Sequence, residues 1–418
     1  MSIAEPATIE PTPPADEVVG SPAPRKRRKW PWIVLAIVLV LALLQFAIVW
    51  YISGTVGSQA MIVTDPPIPV LTITKVTPTE VTYTGTFNSV AADEGLLGIK
   101  AVAGGFAETG FKMTTEGTSF TRTIEKQQVQ PQFIPGDEAS LDKYYFPENP
   151  MVGLNIPFLD VNYTSPGGPT HAWFVPGNGD QTKWVIYTHG KGALTAEGLR
   201  ILQTVHELGY PTLMINYLND TGAPQGNNEG QFGAQEWPYL QGAVAYALEK
   251  GATSVVLTAA SMGGAITEAF LLNSPLKDKV LGQFLDAPAV SFNQIVDSGA
   301  ADMHVPQFIT DMGKWMATQR YGFDFNATNY INNAKQITVP TLIVQGTDDH
   351  TVPLLQNQQF VAAANPGVMT LETFPGAQHV QSWNMDRPRY ISLLSTFVER
   401  VAPNGKTLSA EFIAANPK

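Results

Sequence analysis

The chain has 418 residues and a formal net charge of −11, from 25 Lys and Arg against 36 Asp and Glu, a balance unsuited to holding nucleic acid. Hydrophobic residues make up 44% and charged residues 15%, which describes a globular chain with room for one large domain plus appendages or for two domains. It has no cysteine, so disulfides, thiolate catalysis and cysteine-ligated zinc are excluded.

Residues 1–24 are rich in Pro, Ala and Glu without apolar periodicity and are expected to be disordered. Arg25 to Lys29 are all basic, so the arm 1–29 ends in a cluster of cations. From Trp32 to Ile52 run 21 uncharged residues with one strongly polar side chain, Gln45, about 31 Å as a helix. A helix over 30–53 therefore crosses a bilayer once. Trp30 and Trp32 mark one interface, Trp50 and Tyr51 the other, and the basic cluster stays cytoplasmic. The expectation is a single-pass signal-anchor in the cell membrane with the rest of the chain outside the cytoplasm. Ser58-Gln59-Ala60 also reads as a cleavage site, which makes a cleaved signal peptide the alternative. An acidic exterior is repelled by anionic lipid, so membrane contact is expected through this helix alone.

Residues 54–69 read as a linker ending in prolines. The period then becomes two, in Leu71 to Thr74, Val81 to Thr84 and Ser119 to Lys126, and 70–150 is expected to be a small accessory β region. From 151 to 403 strand-like runs alternate with helical ones, beginning with two short strands around a Ser-Pro-Gly-Gly turn between Phe158 and Gly177. Such alternation calls for a mostly parallel sheet with helices on both faces. Between two of its strands, Pro288 to Lys335 offers a helical cover. Its Met303, Phe308, Met312, Trp315 and Met316 suit either an acyl pocket or, more commonly, ordinary helix core. Residues 404–418 are left as a tail.

In a parallel sheet, functional groups gather at the carboxyl ends of strands. The run Ser254 to Thr258 suits a buried strand and Ala265 to Leu272 a helix, so Ala259-Ala260-Ser261-Met262-Gly263-Gly264 is a strand-to-helix turn that holds Ser261 into open space. The pattern for this turn is G-x-S-x-G; Ala259 replaces its first glycine. Asp349 follows the strand-like Thr341 to Thr347, in a run ending Thr351-Val352-Pro353. His379 follows Met369 to Gln378, and His189-Gly190-Lys191-Gly192 follows Lys183 to Thr188. A serine hydroxyl needs a histidine to take its proton, the histidine needs a carboxylate to fix its tautomer, and the oxyanion needs two N–H donors. The backbone groups of Lys191 and Met262 are the natural pair. Asp286, at the end of another strand, is the alternative acid, and His189 is read as ordering the oxyanion loop.

These residues, in the chain order Ser261, Asp349, His379, resemble the nucleophile, acid and base of the α/β-hydrolases over roughly residues 151–403. The stretches "HAWFVPG", "EWPYLQGAVAYALEKGATSVVLTAASMGGAI" and "LDAPA" are further similar to membrane-anchored α/β-hydrolases of actinobacteria. The resemblance implies an α/β-hydrolase fold and a serine hydrolase acting on a small-molecule or lipid acyl ester through an acyl-enzyme, with neither a metal nor an organic cofactor. Acyl transfer, peptide hydrolysis and a catalytically silent envelope binding module are the other readings.

Overall fold

The computed structural model describes residues 29–57, 71–85 and 94–417. The arm before Lys29, the cleavage-site tripeptide and the rest of the linker to Pro69 lie outside the described residues. The chain divides after Ile48 into two units. In the first, helix α1 (Trp30–Thr55) begins, and every side chain on it through Ile48 is exposed. From Ile33 to Val49 its residues are Leu, Ile, Val and Ala apart from Gln45 and Phe46, and no glycine comes before Gly54. In the second unit the last turns of α1 bury one face, Val49, Ser53 and Val56, spaced as neighbours on a helix.

The accessory region is a closed antiparallel barrel. Its strands are β1 (Leu71–Val76), β2 (Glu80–Thr84), β3 (Leu97–Ala101), β4 (Phe106–Glu116), β5 (Ser119–Val129) and β6 (Glu138–Asp142), in the order β1-β2-β5-β4-β3-β6. The period-two pattern turns Leu71, Ile73, Val81, Tyr83, Ile99 and Phe120 inward, and β1 pairs with β6 to close the ring. Arg122 is fully buried and donates to Tyr83 Oη at 3.0 Å and to the Gly95 carbonyl at 2.8 Å.

A short helix, α2 (Pro150–Leu154), capped by the Asn149 side chain, leads into an eight-stranded sheet. Its strands are β7 (Leu159–Ser165), β8 (Gly168–Val175), β9 (Lys183–Thr188), β10 (Thr212–Ile215), β11 (Ser254–Ala260), β12 (Val280–Asp286), β13 (Thr341–Gly346) and β14 (Met369–Phe374). They lie in the order β14-β13-β12-β11-β9-β10-β8-β7. From β9 to β14 neighbours are parallel, while β7 and β8 form an antiparallel hairpin at one edge. The helices are α3 (Leu199–Glu207), α4 (Trp237–Glu249), α5 (Met262–Asn273), α6 (Phe292–Asp302), α7 (Gln307–Tyr321), α8 (Leu354–Ala363), α9 (Ser382–Met385), α10 (Arg387–Val401) and α11 (Ala410–Ala415).

Both faces of the sheet are apolar, as parallel strands require. Leu257, Ile186, Leu213, Leu285 and Ile343 join residues of α4, α5 and α8 in one core. Their neighbours Val256, Val185, Met214, Phe284 and Val344 join α3 and α10 in the other. The expected tail contains α11, whose first turn is capped by Ser409.

The cover between β12 and β13 consists of α6 and α7, joined to the body by a cluster of Phe232, Phe292, Phe323 and Phe325 with ring centroids 4.0–6.3 Å apart. Those phenylalanines do the packing expected of the α7 apolar residues. Met303, Phe308 and Trp315 are instead 64%, 61% and 62% exposed, so they do not form a helix core. The buried face of α7 is Thr310, Gly313, Lys314 and Ala317, small residues and a lysine whose ammonium meets Asp297 at 2.6 Å and Asp311 at 3.1 Å.

Glu268 on α5 is fully buried, and burial raises its pKa from the ordinary 4.5 to about 8, opposed only by the hydrogen bond from Gln283. The folded state therefore holds a proton there that the unfolded chain releases above about pH 4.5, and this stabilisation is lost as pH rises towards 8. Glu268→Gln keeps the acceptor for Gln283 without the titration. Thermal unfolding at pH 5, 6.5 and 8 should show a smaller loss of stability with pH in the variant than in the parent.

Candidate active site

β11 ends at Ala260 and α5 starts at Met262, leaving Ser261 alone between them at φ 51°, ψ −121°. A non-glycine residue there costs about 1–3 kcal/mol, and the surroundings hold it. Its N–H donates to the Asp286 carbonyl at 3.0 Å, and its own carbonyl accepts from Gly264 and Ala289. A β-carbon at Gly263 would fall on the Thr188 carbonyl oxygen and one at Gly264 on Pro288, so both positions require glycine. Ala259 sits fully buried in the core, where its methyl is accommodated.

Asp349 lies in the turn after β13. Its Oδ1 accepts from the Thr351 and Val352 amides at 2.9 and 2.8 Å, and its Oδ2 accepts from Gln345 Nε2 at 3.3 Å. His379 lies in the loop after β14, with Nδ1 2.8 Å from Asp349 Oδ2 and Nε2 2.9 Å from Ser261 Oγ. The aspartate side chain is fully buried, while the histidine keeps 14% of its own exposed. The two loops meet because the Asp348 amide donates to the Ala377 carbonyl at 3.0 Å and Gly346 has no β-carbon to strike that carbonyl. Asp348 and His350 are exposed. The alternative acid, Asp286, is directed at Tyr390 and Arg200, and burial above all raises its pKa to about 7.

Strand order, the edge hairpin, the single-residue turn at the end of β11 and the sequence of serine, aspartate and histidine loops together decide the architecture. This is the α/β-hydrolase fold. No protein-family model matches the chain, and no curated protein matches it by sequence. Among solved structures it is similar to an esterase of Pyrococcus furiosus, with 17% identity over 61% of this chain and 95% of that one at a TM-score of 0.48. An α/β-hydrolase from Penicillium sp. sh18 gives 17% identity over 59% and 99%, at 0.44. An esterase from Exiguobacterium antarcticum gives 18% over 58% and 100%, at 0.43.

The loop after β9 borders the serine closely, since a β-carbon on Gly190 would lie 3.0 Å from Ser261 Cβ. Met262 opens α5, where a helix leaves its first N–H groups without intrahelical acceptors. The Lys191 and Met262 side chains both pack at Gly230, and burial lowers the Lys191 pKa to about 8. His189 is buried, stacked on Tyr217, with Nδ1 2.8 Å from the Gly190 carbonyl and Nε2 2.9 Å from Asp220. Burial opposes its positive charge, yet Asp220 outweighs this and its pKa is raised. Tyr217 Oη donates to the carbonyls of His189 and Gly190 at 3.0 Å each.

Sequence reasoning missed the residues behind this loop. Glu197 is buried and accepts from the Gly190 amide at 2.8 Å and from Tyr187 Oη at 2.9 Å. Arg200, one turn along, donates to the Glu197 carbonyl, to the Val380 carbonyl at 2.8 Å and to Asn384 Oδ1 at 2.7 Å. Asn384 in turn donates to the carbonyls of Leu96 and Lys143, and Lys143 Nζ reaches the His379 carbonyl at 3.5 Å. The barrel, the loop after β9 and the histidine loop thus share one polar network. The sequence signal was a Glu and an Arg three apart in an otherwise apolar helix start.

Among the described residues, no group of three or more His, Asp or Glu side chains is arranged to hold a metal ion. A surface cavity of about 520 Å³ lies between α10 and α11, lined by Leu208, Ile391 and Ile413. It contains none of Ser261, Asp349 and His379, and belongs to the back of the molecule.

Removing Glu197 would leave the Gly190 N–H and the Tyr187 hydroxyl without their acceptor and take away one of the two carboxylates near Arg200. A buried hydrogen-bonding group left without its partner costs about 1–3 kcal/mol. Urea unfolding of Glu197→Ala should show a loss of that order, and Glu197→Gln, which keeps an acceptor, a smaller one.

Proposed function

We propose that the chain is a membrane-anchored serine hydrolase of carboxylic esters, acting outside the cytoplasm. The observation that carries this is the unbroken hydrogen-bonded line from Ser261 Oγ through His379 to Asp349, at 2.9 and 2.8 Å. It joins three loops spread over more than a hundred residues, with its Asp349 end buried and Ser261 and His379 partly exposed. A scaffold without activity has no use for a serine held at positive φ against a histidine.

In the reaction, His379 holds its proton on Nδ1, towards Asp349, and its free Nε2 takes the proton of Ser261 as Oγ attacks the ester carbonyl carbon. The carbonyl oxygen becomes an oxyanion facing the N–H groups of Met262 and Lys191. The intermediate collapses, the bond to the alkoxy oxygen breaks, and the histidine returns the proton to the departing alcohol. Water then attacks the acyl-enzyme, gives its proton to His379, and the acid leaves as Ser261 Oγ is reprotonated. The two amides and Gln345 that donate to Asp349 hold its carboxyl group in place against His379. No cofactor is needed. An acceptor alcohol in place of water would turn the same acyl-enzyme towards acyl transfer.

The membrane part of this reading rests on α1, 26 residues long and exposed through Ile48, and on the five cations that precede Trp30. They orient the N-terminus to the cytoplasm.

Fluorophosphonate should label the parent at Ser261, and Ser261→Ala should not react. Asp349→Asn should slow hydrolysis of a short-chain ester by about 10⁴-fold, since the histidine loses its tautomer. A folded parent that neither labels nor hydrolyses any acyl ester would return the chain to the silent binding module.

A further inference from the structure

We infer that His189 is an imidazolium in the working enzyme, and that its charge, acting through the Gly190 carbonyl, strengthens the Lys191 N–H as an oxyanion donor. This rests on the serine-hydrolase reading and adds to it a positioning residue that never touches substrate.

The protons of the ring follow from what each nitrogen faces. The Gly190 carbonyl can only accept, so Nδ1, 2.8 Å away, carries a proton. Nε2 stands 2.9 Å from Asp220 Oδ2. A bare ring nitrogen facing a bare carboxylate oxygen at that distance would repel it, so a second proton lies between the two. The same Oδ2 accepts the Tyr217 amide at 2.7 Å, and acceptance of a backbone N–H is strongest for an ionised carboxylate. The second proton therefore belongs to the ring. The Tyr217 ring, stacked on the imidazole with centroids 4.4 Å apart, offers the aromatic face that suits a cation. Burial opposes the charge, but Asp220 first, then the Gly190 carbonyl and Glu197, outweigh it and raise the pKa from the ordinary 6.5.

The charge is aimed at one peptide. The Gly190 carbonyl and the Lys191 N–H are the two ends of a single planar trans unit, so the N–H points away from whatever holds the oxygen. Three donors hold it: His189 Nδ1, Tyr217 Oη at 3.0 Å and the Ala193 amide at 3.2 Å. Donors on a carbonyl draw electron density towards its oxygen and leave the attached N–H more positive. Of the ion pair, the imidazolium touches this peptide, while Asp220 is bonded to the other ring nitrogen. The pair thus turns its positive end to the loop that borders Ser261. His189 is only 1% exposed, and a dipole fixed in so dry a place needs no reorganisation as the oxyanion forms.

The titratable groups that face the ring are Asp220 and Tyr217 in the turn after β10 and Glu197 just before α3, with Lys191 two residues along its own loop. Asp220→Asn keeps the outline of the site and removes the charge that supports the imidazolium.

The test uses the full chain in detergent micelles, labelled with 15N-histidine. Among the described residues His189 is the one buried histidine, so its ring N–H protons are those slowest to exchange with water. At pH 7 its two nitrogens should both be protonated in the parent, and one of them in Asp220→Asn. With p-nitrophenyl butyrate the variant should lose about tenfold in kcat at unchanged KM, less than the roughly 10²- to 10³-fold that removal of a whole donor costs. The ratio of variant to parent kcat should climb towards one as pH falls below 6.5, because the buried ring without Asp220 takes its second proton only in more acid solution. Using the ratio cancels the titration of His379 common to both proteins, and a loop that is merely loosened would give a ratio indifferent to pH. A singly protonated His189 in an active parent would overturn this inference alone, whether or not the variant folds. So would a flat ratio, or a variant with neutral His189 and the parent's kcat. A parent that hydrolyses no ester would overturn the hydrolase reading and this inference with it.

Discussion

Everything at the carboxyl edge of the sheet depends on how closely two backbones approach behind Ser261. Gly263 lies against the Thr188 and His189 carbonyls with no space for a β-carbon, and β9 and β11 are in parallel register there, Ala259 opposite Thr188. This contact fixes the start of α5 relative to the loop after β9. The serine is left at a backbone conformation it would not choose alone, with its side chain held out of the sheet. Gly346 repeats the device two strands away, where the aspartate turn and the histidine loop must touch. Two missing methyl groups therefore set the distances among three functional loops.

A second layer turns these loops into one body. Glu197 and Arg200 are buried charges that would be costly alone, and each holds loop backbone besides a side-chain partner. Glu197 holds the amide of Gly190 and Arg200 the carbonyl of Val380. Neighbouring carboxylates raise the arginine's pKa against the burial that lowers it. Because the partners are main-chain groups, the network constrains backbone position, which is what alignment of His379 with Ser261 requires.

Much of this was legible in the residues themselves. Strand and helix alternate strongly enough in 151–403 that the strand ending at Thr188 runs over the span Lys183 to Thr188 read for it. Ser261, Asp349 and His379 stood out because each follows an apolar run and breaks it with small or turn-forming residues. What stayed hidden has a common physical cause, dependence on distant partners. Barrel closure requires β1 to find β6 some 65 residues away, which no local pattern encodes. Glu197 and Gln345 resemble ordinary polar residues until the backbone they serve is in place. Phe308, Met312 and Trp315 carry the spacing of a helix core, and only the phenylalanine cluster behind them shows that the core is already filled.

The bond from Asn384 to the Leu96 carbonyl spans 288 positions of the chain. Synthesis runs from the amino terminus, so the barrel is made before the histidine loop, and contacts of such sequence separation are among the slowest to form. The His379 loop gains its support from Asn384 and Arg200 only when the segments carrying Leu96, Arg200 and Asn384 are all present. A chain whose synthesis has not yet passed Asn384 thus holds Ser261 in its turn with no seated histidine to face it.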